Sequence, residues 1–134
     1  MVKPHFKYNP ELIAAGLKTT ATIPERLKAF RSAGLHYSTV ADAAGVSESA
    51  IRHWIGTDLV KPRPAAERVI DNIRCAFVIM GNDGLPYYRA AMALRSLDDQ
   101  PPFHRPLEII AEQPEVVFEI ASHAVAAWNT LCEA

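Results

Sequence analysis

The sequence has 134 residues, of which 49% are hydrophobic and 22% charged, and its formal net charge at pH 7 is −1. This length is typical of a single domain, and this apolar content excludes a disordered chain. No apolar run reaches the roughly 18 residues of a membrane span, and no signal peptide is recognisable, so we expect a cytoplasmic protein without membrane contact.

Helix signals divide the front part of the chain into short segments. Pro10 is predicted to open a short helix that Gly16 ends. The next helix is predicted to begin at Thr22, since Pro follows in the first turn and Glu25 completes a capping box, and Gly34 is predicted to end it.

Two more short helices follow without a long loop between them. Thr39 and Asp42 form a second capping-box pattern, which predicts a helix from Thr39 that is broken at Gly45. Ser47 is predicted to cap the following helix, which ends near Gly56. The segment Lys61-Pro62-Arg63-Pro64 then predicts a stiff connector, because its two prolines forbid a continuous helix.

The rear part has helical periodicity throughout. One helix is predicted to end at Gly81, and its apolar face holds Val69, Ile70, Ile73, Phe77 and Met80. Asp83 is predicted to cap a helix that reaches Leu97, and residues 98–105 are predicted to form a loop. Pro114 is predicted to start the last helix, whose apolar face holds Val117, Ile120, Ala121, Ala124, Trp128 and Leu131.

No segment has the alternation of a strand, so the predicted fold class is all-α. We divide the chain into an N-terminal arm (residues 1–21), a front helical domain (22–64) and a rear helical domain (65–134).

The most informative stretch runs from Tyr37 to Trp54, and it resembles the helix-turn-helix of Xre-type regulators. Ala41 supplies the small residue needed where two helices cross, and Gly45 supplies the residue that tolerates a positive φ in the tight turn. Apolar residues at helical spacing then attach the pair to the preceding helix: Val40, Ala44, Val46, Ile51 and Trp54. The resemblance implies that the second helix enters the major groove of double-stranded DNA, which makes residues 22–64 a helix-turn-helix DNA-binding domain. We assign residues 65–134 to a helical dimerisation and partner-binding domain and expect a homodimer, because one such motif covers too little DNA for tight binding.

The outward positions of that second helix give the predicted DNA contacts. Arg52 is the candidate for bidentate contact with guanine, and Glu48 for accepting a bond from a cytosine amino group. Ser47 and Ser49 are candidates for phosphate or base contacts, and His53 for a phosphate contact. Flanking cations are predicted to neutralise phosphates without contacting bases: Lys28, Arg31, Lys61 and Arg63.

Charge is divided unevenly between the two halves of the chain. Residues 1–65 hold nine Lys and Arg against five Asp and Glu, a net charge of +4. Residues 66–134 hold five Arg against ten Asp and Glu, a net charge of −5. We therefore expect the basic half to bind DNA and the acidic half to bind a different partner.

The order of the rear elements resembles the Xre/ParS/MbcA-type antitoxins that partner RES-domain toxins. The resemblance covers roughly residues 24–128 and includes the Arg-Pro segment that begins at Arg105. It implies that the rear half binds a toxin, and the residues it implicates are Arg105, Pro106, Leu107, Trp128 and Leu131. The Pro of this segment equally fits a plain helix start, and the last helix fits either core or interface.

Other function classes have less support. Residues 51–63 also resemble the start of MerR-type regulators, but the Gly-Tyr-Arg signature of their wing is absent. No phosphate loop or nucleophile motif is present, so we expect no catalytic residue and no cofactor. Cys75 and Cys132 lack partners at ligand spacing and predict buried reduced thiols rather than a metal site. A self-standing phage or host repressor and a helical adaptor without DNA binding remain the alternatives to an antitoxin.

Overall fold

The structure is a computed structural model, which describes residues 8–57, 61–95, 107, 110 and 112–133. No described residue lies in a β-strand, which confirms the predicted all-α class. None of the described helices combines the length and the apolarity needed to span a membrane. The α-helices are α1 (Pro10–Gly16), α2 (Ile23–Ala33), α3 (Tyr37–Ala44), α4 (Glu48–Gly56), α5 (Pro64–Asn82), α6 (Tyr87–Arg95) and α7 (Val117–Glu133), the last preceded by a 3₁₀ turn (Pro114–Val116).

The predicted boundaries of α1 and α2 are confirmed by hydrogen bonds at the helix ends. Thr22 Oγ1 accepts from the Glu25 N–H at 3.3 Å, and Glu25 Oε1 accepts from the Thr22 N–H at 2.9 Å, which completes the capping box. Gly34 ends α2 with a φ of 111°, and the N–H of the buried Leu35 reaches back to the Phe30 carbonyl at 2.9 Å. This bonding pattern satisfies the last carbonyls of α2 and turns the chain sharply into α3.

Two predicted N-caps are wrong, at Thr39 and at Asp83. The helix α3 begins at Tyr37 and is preceded by His36, without a side-chain cap. The earlier start places the Tyr37 ring against the core, and this burial outweighs the cap that Thr39 offers. Asp83 lies at the C-terminal end of α5, and the Pro86 carbonyl instead accepts the first bonds of α6.

The core is continuous between the front and rear helices. Phe30 of α2 and Phe77 of α5 are both fully buried, and their rings stack with centroids 5.6 Å apart and an interplanar angle of 13°. Other fully buried side chains surround this pair on both sides: Ile13, Leu27, Leu35, Val40, Ile51, Ile70, Ile73, Met80 and Leu94. Side chains from both sides of the predicted domain boundary near residue 64 therefore pack into the same core.

A buried arginine ties α1 to α5. Arg74 is only 9% exposed, and its Nη1 donates to the carbonyl of Leu17, the residue that ends α1, at 3.1 Å. Its Nε donates to Asp71 Oδ1 at 2.9 Å, and Arg26 of α2 donates to the same oxygen at 3.3 Å. Because a buried cation needs such partners, this network fixes α1 and α2 against the middle of α5.

A second long-range bond joins α6 to the corner between α2 and α3. Arg95 Nη1, from the last residue of α6, donates to the Gly34 carbonyl at 3.0 Å. Gly34 has a positive φ, so its carbonyl points away from the bonds of α2 and needs a partner from elsewhere. The rear half thus completes the hydrogen bonding of a turn in the front half.

The helix α7 extends beyond the core that its first turns cover. Val117, Ile120 and Ala121 are buried, Ala124 and Trp128 are half-buried, and Leu131 on the same stripe is 56% exposed. The predicted apolar face therefore belongs to the core near the start of α7, and at Leu131 it is exposed.

The prediction of two buried thiols is also wrong. Cys132 is exposed because it lies near the end of α7, where the helix has passed the core. Cys75 is half-buried, and its Sγ accepts from Arg74 Nη2 at 3.4 Å. Both cysteines are free thiols.

Candidate nucleic-acid interface

The turn between α3 and α4 is tight and is closed by backbone bonds. Gly45 has a φ of 70°, in the left-handed region that favours glycine, and its N–H donates to the Asp42 carbonyl at 3.3 Å. The N–H of Val46 donates to the Ala41 carbonyl at 3.0 Å, which gives the same helix ending as at Gly34. Ala41 is only 2% exposed. The turn predicted at Gly45 is confirmed.

The helix α4 begins with the predicted cap and buries one face. Ser47 Oγ accepts from the Ala50 N–H at 3.1 Å, which satisfies one of the free donors of the first turn. Ile51 is fully buried and Trp54 is 7% exposed, so these two residues attach α4 to the core that it shares with α2 and α3.

The opposite face of α4 carries the five residues that the sequence predicts as DNA contacts. Each of their side chains is exposed: Ser47, Glu48, Ser49, Arg52 and His53. No other described element covers this face closely enough to bury any of them. The geometry therefore presents a polar, partly cationic helix face to solvent while the apolar face is fixed.

Arg52 has two neighbours that the sequence analysis missed. Its Nη2 donates to Glu48 Oε1 at 2.9 Å, and both side chains remain largely exposed, at 65% and 45%. Its Cζ lies 5.6 Å from the centroid of the Tyr37 ring. The sequence could have indicated the contact between Glu48 and Arg52, because side chains four residues apart meet on a helix surface.

Tyr37 is the first residue of α3, and the positive charges of Arg31 and Arg52 act on its phenol. It is half-buried, and burial raises the pKa of its phenol above the ordinary value, while the positive charges of Arg31 and Arg52 partly offset that rise. The phenol consequently stays protonated at neutral pH and keeps its O–H as a donor.

The flanking cations fall into two groups. Lys28 and Arg31 lie one turn apart on α2, and Lys28 is exposed whereas Arg31 is half-buried. Lys61 and Arg63 are exposed on the connector, and Lys61 lines a groove with Thr57, just beyond α4. The nine residues of α4 span roughly 13 Å. Ser47 caps the N-terminal end of α4 and the connector follows its C-terminal end, so the connector cations lie near the end opposite Ser47.

The predicted partner-binding residues of the rear half that the structure describes differ in their exposure. Leu107 is 4% exposed and belongs to the core, so it offers no surface contact. Trp128 is half-buried, and the guanidinium of Arg89 lies 4.9 Å from its ring centroid. Leu131 is exposed, while Arg105 and Pro106 lie outside the described residues.

No protein-family model, curated protein or solved structure matches this chain. Within the part of the chain that the structure describes, no three His, Cys, Asp or Glu side chains are grouped as metal ligands. The assignment of α3 and α4 as a DNA-binding helix-turn-helix stays a prediction.

Proposed function

We propose that the protein is a sequence-specific DNA-binding transcriptional regulator in which α3 and α4 form a helix-turn-helix. The observation that carries the proposal is the division of α4 into two faces. Ile51 and Trp54 fix one face in the core, and the other face presents Arg52 and four more polar side chains to solvent. A short polar helix held this way fits the major groove, which admits an α-helix.

Charge supports the same proposal. Residues 1–65 have a net charge of +4, Lys28 and Arg63 are exposed, and the exposed Lys61 lines a groove with Thr57 just beyond α4. Such cations position a protein on the phosphate backbone and release counterions, so we expect the affinity for DNA to fall steeply as salt concentration rises.

Replacing Arg52 tests the proposed contact surface. We expect Arg52→Ala to weaken specific binding by about 1–3 kcal/mol, roughly 5- to 150-fold, since a bidentate contact with guanine is lost. The measurement is fluorescence anisotropy with a duplex selected from a randomised library by the wild-type protein.

Arg68→Ala is the matched control, because Arg68 is an exposed arginine of the acidic half and its loss changes the net charge equally. Unchanged affinity and base preference in Arg52→Ala, with helix content intact by circular dichroism, would remove Arg52 from the contact surface. Wild-type protein that selects no duplex at all would instead support a helical adaptor.

We further propose that the regulator is a homodimer that pairs through the end of α7. The apolar stripe of α7 continues past the core to Leu131, and no Asp, Glu, Lys or Arg lies between Glu119 and Glu133. A second copy suits this face, because two uncharged helices pack together without burying a charge. Pairing also brings two half-sites about one turn of DNA apart within reach.

Leu131→Glu is expected to prevent pairing, since a carboxylate would be buried in the interface without a partner. The dissociation constant of the dimer should rise on the order of 100-fold. Light scattering during gel filtration should show a change from twice the 14.8 kDa chain mass to once that mass.

Asn129→Glu is the matched control, because Asn129 is exposed and lies about 160° around the helix from Leu131. A wild-type monomer at micromolar concentration, both free and on DNA, would contradict the proposed pairing. So would an unaltered dimer in Leu131→Glu.

An antitoxin is the second candidate function, supported by the net charge of −5 over residues 66–134 and by the resemblance of the rear elements. In this case the exposed end of α7 would contact a RES-type toxin rather than a second copy. Co-expression with the neighbouring gene product, using the full chain and a version ended after Ala127, distinguishes the two. Co-purification with a toxic neighbour that depends on residues 128–134 supports the antitoxin, and its absence supports the self-standing repressor.

A further inference from the structure

Arg52 is exposed and is also hydrogen-bonded to a neighbouring carboxylate on α4. The guanidinium has five N–H donors, and Glu48 engages it through one nitrogen, Nη2, at 2.9 Å. The Arg52 side chain is 65% exposed and that of Glu48 is 45% exposed, so both present polar atoms to solvent. A fork of donors and a carboxylate acceptor therefore lie side by side on the outer face of α4.

We infer that Glu48 and Arg52 act as one unit that selects a guanine and a cytosine within one base-pair step, with Tyr37 as the residue that positions Arg52. The inference rests on the proposed DNA-binding function and extends it to base identity. In the major groove, guanine presents two acceptors, O6 and N7, and cytosine presents the N4 amino group as a donor. The Arg52 donors match the first pattern, and the Glu48 carboxylate matches the second.

The carboxylate also rejects the wrong base. Thymine in place of cytosine presents the O4 acceptor and a methyl group, so a carboxylate facing it would lose its hydrogen bond to the base and would face another acceptor. Discrimination by such a penalty does not require tight binding to the correct base. Glu48 is therefore expected to contribute more to selectivity than to affinity.

Tyr37 supplies the fixed element of the arrangement. Its ring packs partly against the core, so its position is set by the fold, and the Arg52 Cζ lies 5.6 Å from its centroid. Attraction between a guanidinium and an aromatic face acts over this distance. Held by Tyr37 on one side and Glu48 on another, Arg52 has fewer side-chain conformations to lose when it binds a base.

The test compares base preferences of variants on duplexes selected from a randomised library by the wild-type protein. We expect the selected duplexes to contain a guanine–cytosine position, that is, a guanine in one base pair and a cytosine in the adjacent pair. Changing the cytosine's own pair to thymine–adenine, with the guanine kept, should lower affinity roughly 10-fold or more. Glu48→Ala should reduce that ratio to about 1–2, with guanine still preferred. Glu119→Ala is the control, because it removes an exposed carboxylate of the rear half that lies outside the predicted DNA contacts, and it should leave the ratio unchanged.

Two variants separate positioning by Tyr37 from a merely structural role. Tyr37→Phe keeps the ring face and should keep the wild-type guanine preference, whereas Tyr37→Leu keeps apolar bulk but loses the ring face and should reduce that preference several-fold. Circular dichroism and thermal unfolding show that each variant is folded.

The outcomes are distinct. If the wild-type protein selects no sequence, the proposed function itself is contradicted. Selected duplexes without a guanine–cytosine position, or an unchanged cytosine preference in Glu48→Ala, overturn the inference while DNA binding stands. Equal guanine preference in Tyr37→Phe and Tyr37→Leu removes Tyr37 from the unit.

Discussion

Truncating Phe77 to alanine is expected to lower the free energy of unfolding by about 3–5 kcal/mol, the range for large aromatic residues in a close-packed core. Phe77 is fully buried and stacks on Phe30, so its loss leaves a cavity between α5 and α2. Because the core is shared, we expect the front helices to lose stability together with the rear helices.

The two tryptophans make this expectation measurable in each half. Trp54 lies on α4 and Trp128 on α7, so single-tryptophan variants report urea unfolding of the front and the rear separately. Both probes should give one coincident transition, shifted equally by Phe77→Ala. Phe118→Ala, at a phenylalanine that is 61% exposed, is the control and should change stability by less than about 0.5 kcal/mol. Separate transitions for the two probes would show two independent domains.

Replacing Gly16 by alanine is expected to destabilise the protein by about 3 kcal/mol, although alanine is the better helix former. Gly16 lies where α1 crosses α2. A Cβ placed on it overlaps the Cβ of Ala29 and lies 2.5 Å from the Glu25 carbonyl oxygen. Since that oxygen belongs to the backbone of α2, the two helices would have to separate, and their packing would be lost.

Gly56→Ala is the matched control, because Gly56 also ends a short helix but has nothing within 4 Å of the position of a Cβ. This change should be neutral or slightly stabilising. Thermal and urea unfolding of both variants provide the measurement. Equal stability of Gly16→Ala and the wild type would show that α1 does not pack closely on α2.

Features that depend on neighbours in the chain were predictable from the sequence. The capping box at Thr22, the cap at Ser47 and the turn at Gly45 are local arrangements of backbone and side chain, and all three are confirmed. The exposed face of α4 followed from helical periodicity once Ile51 and Trp54 were assigned to the core. The local signals agree with the fold in this region, as expected for a natural sequence.

Features that depend on distant residues were not predictable. Gly16 was interpreted as a helix end, because nothing near it in the chain indicates the close approach of α2. Thr39 had the pattern of a cap, but the start of α3 is decided by the burial of Tyr37. Likewise, the contact of Tyr37 with Arg52 joins two helices across a turn, and the sequence gives no sign of their relative orientation.

The bond from Arg95 to the Gly34 carbonyl also bears on how the chain can evolve. Recombination can exchange a segment between proteins only when that segment needs nothing from the rest of the chain. Here Arg95 of α6 completes the hydrogen bonding of the turn before α3, although Arg95 and Gly34 are 61 residues apart in the chain. A front half transferred without its rear half would leave that carbonyl without its partner, so we expect both halves to be inherited together.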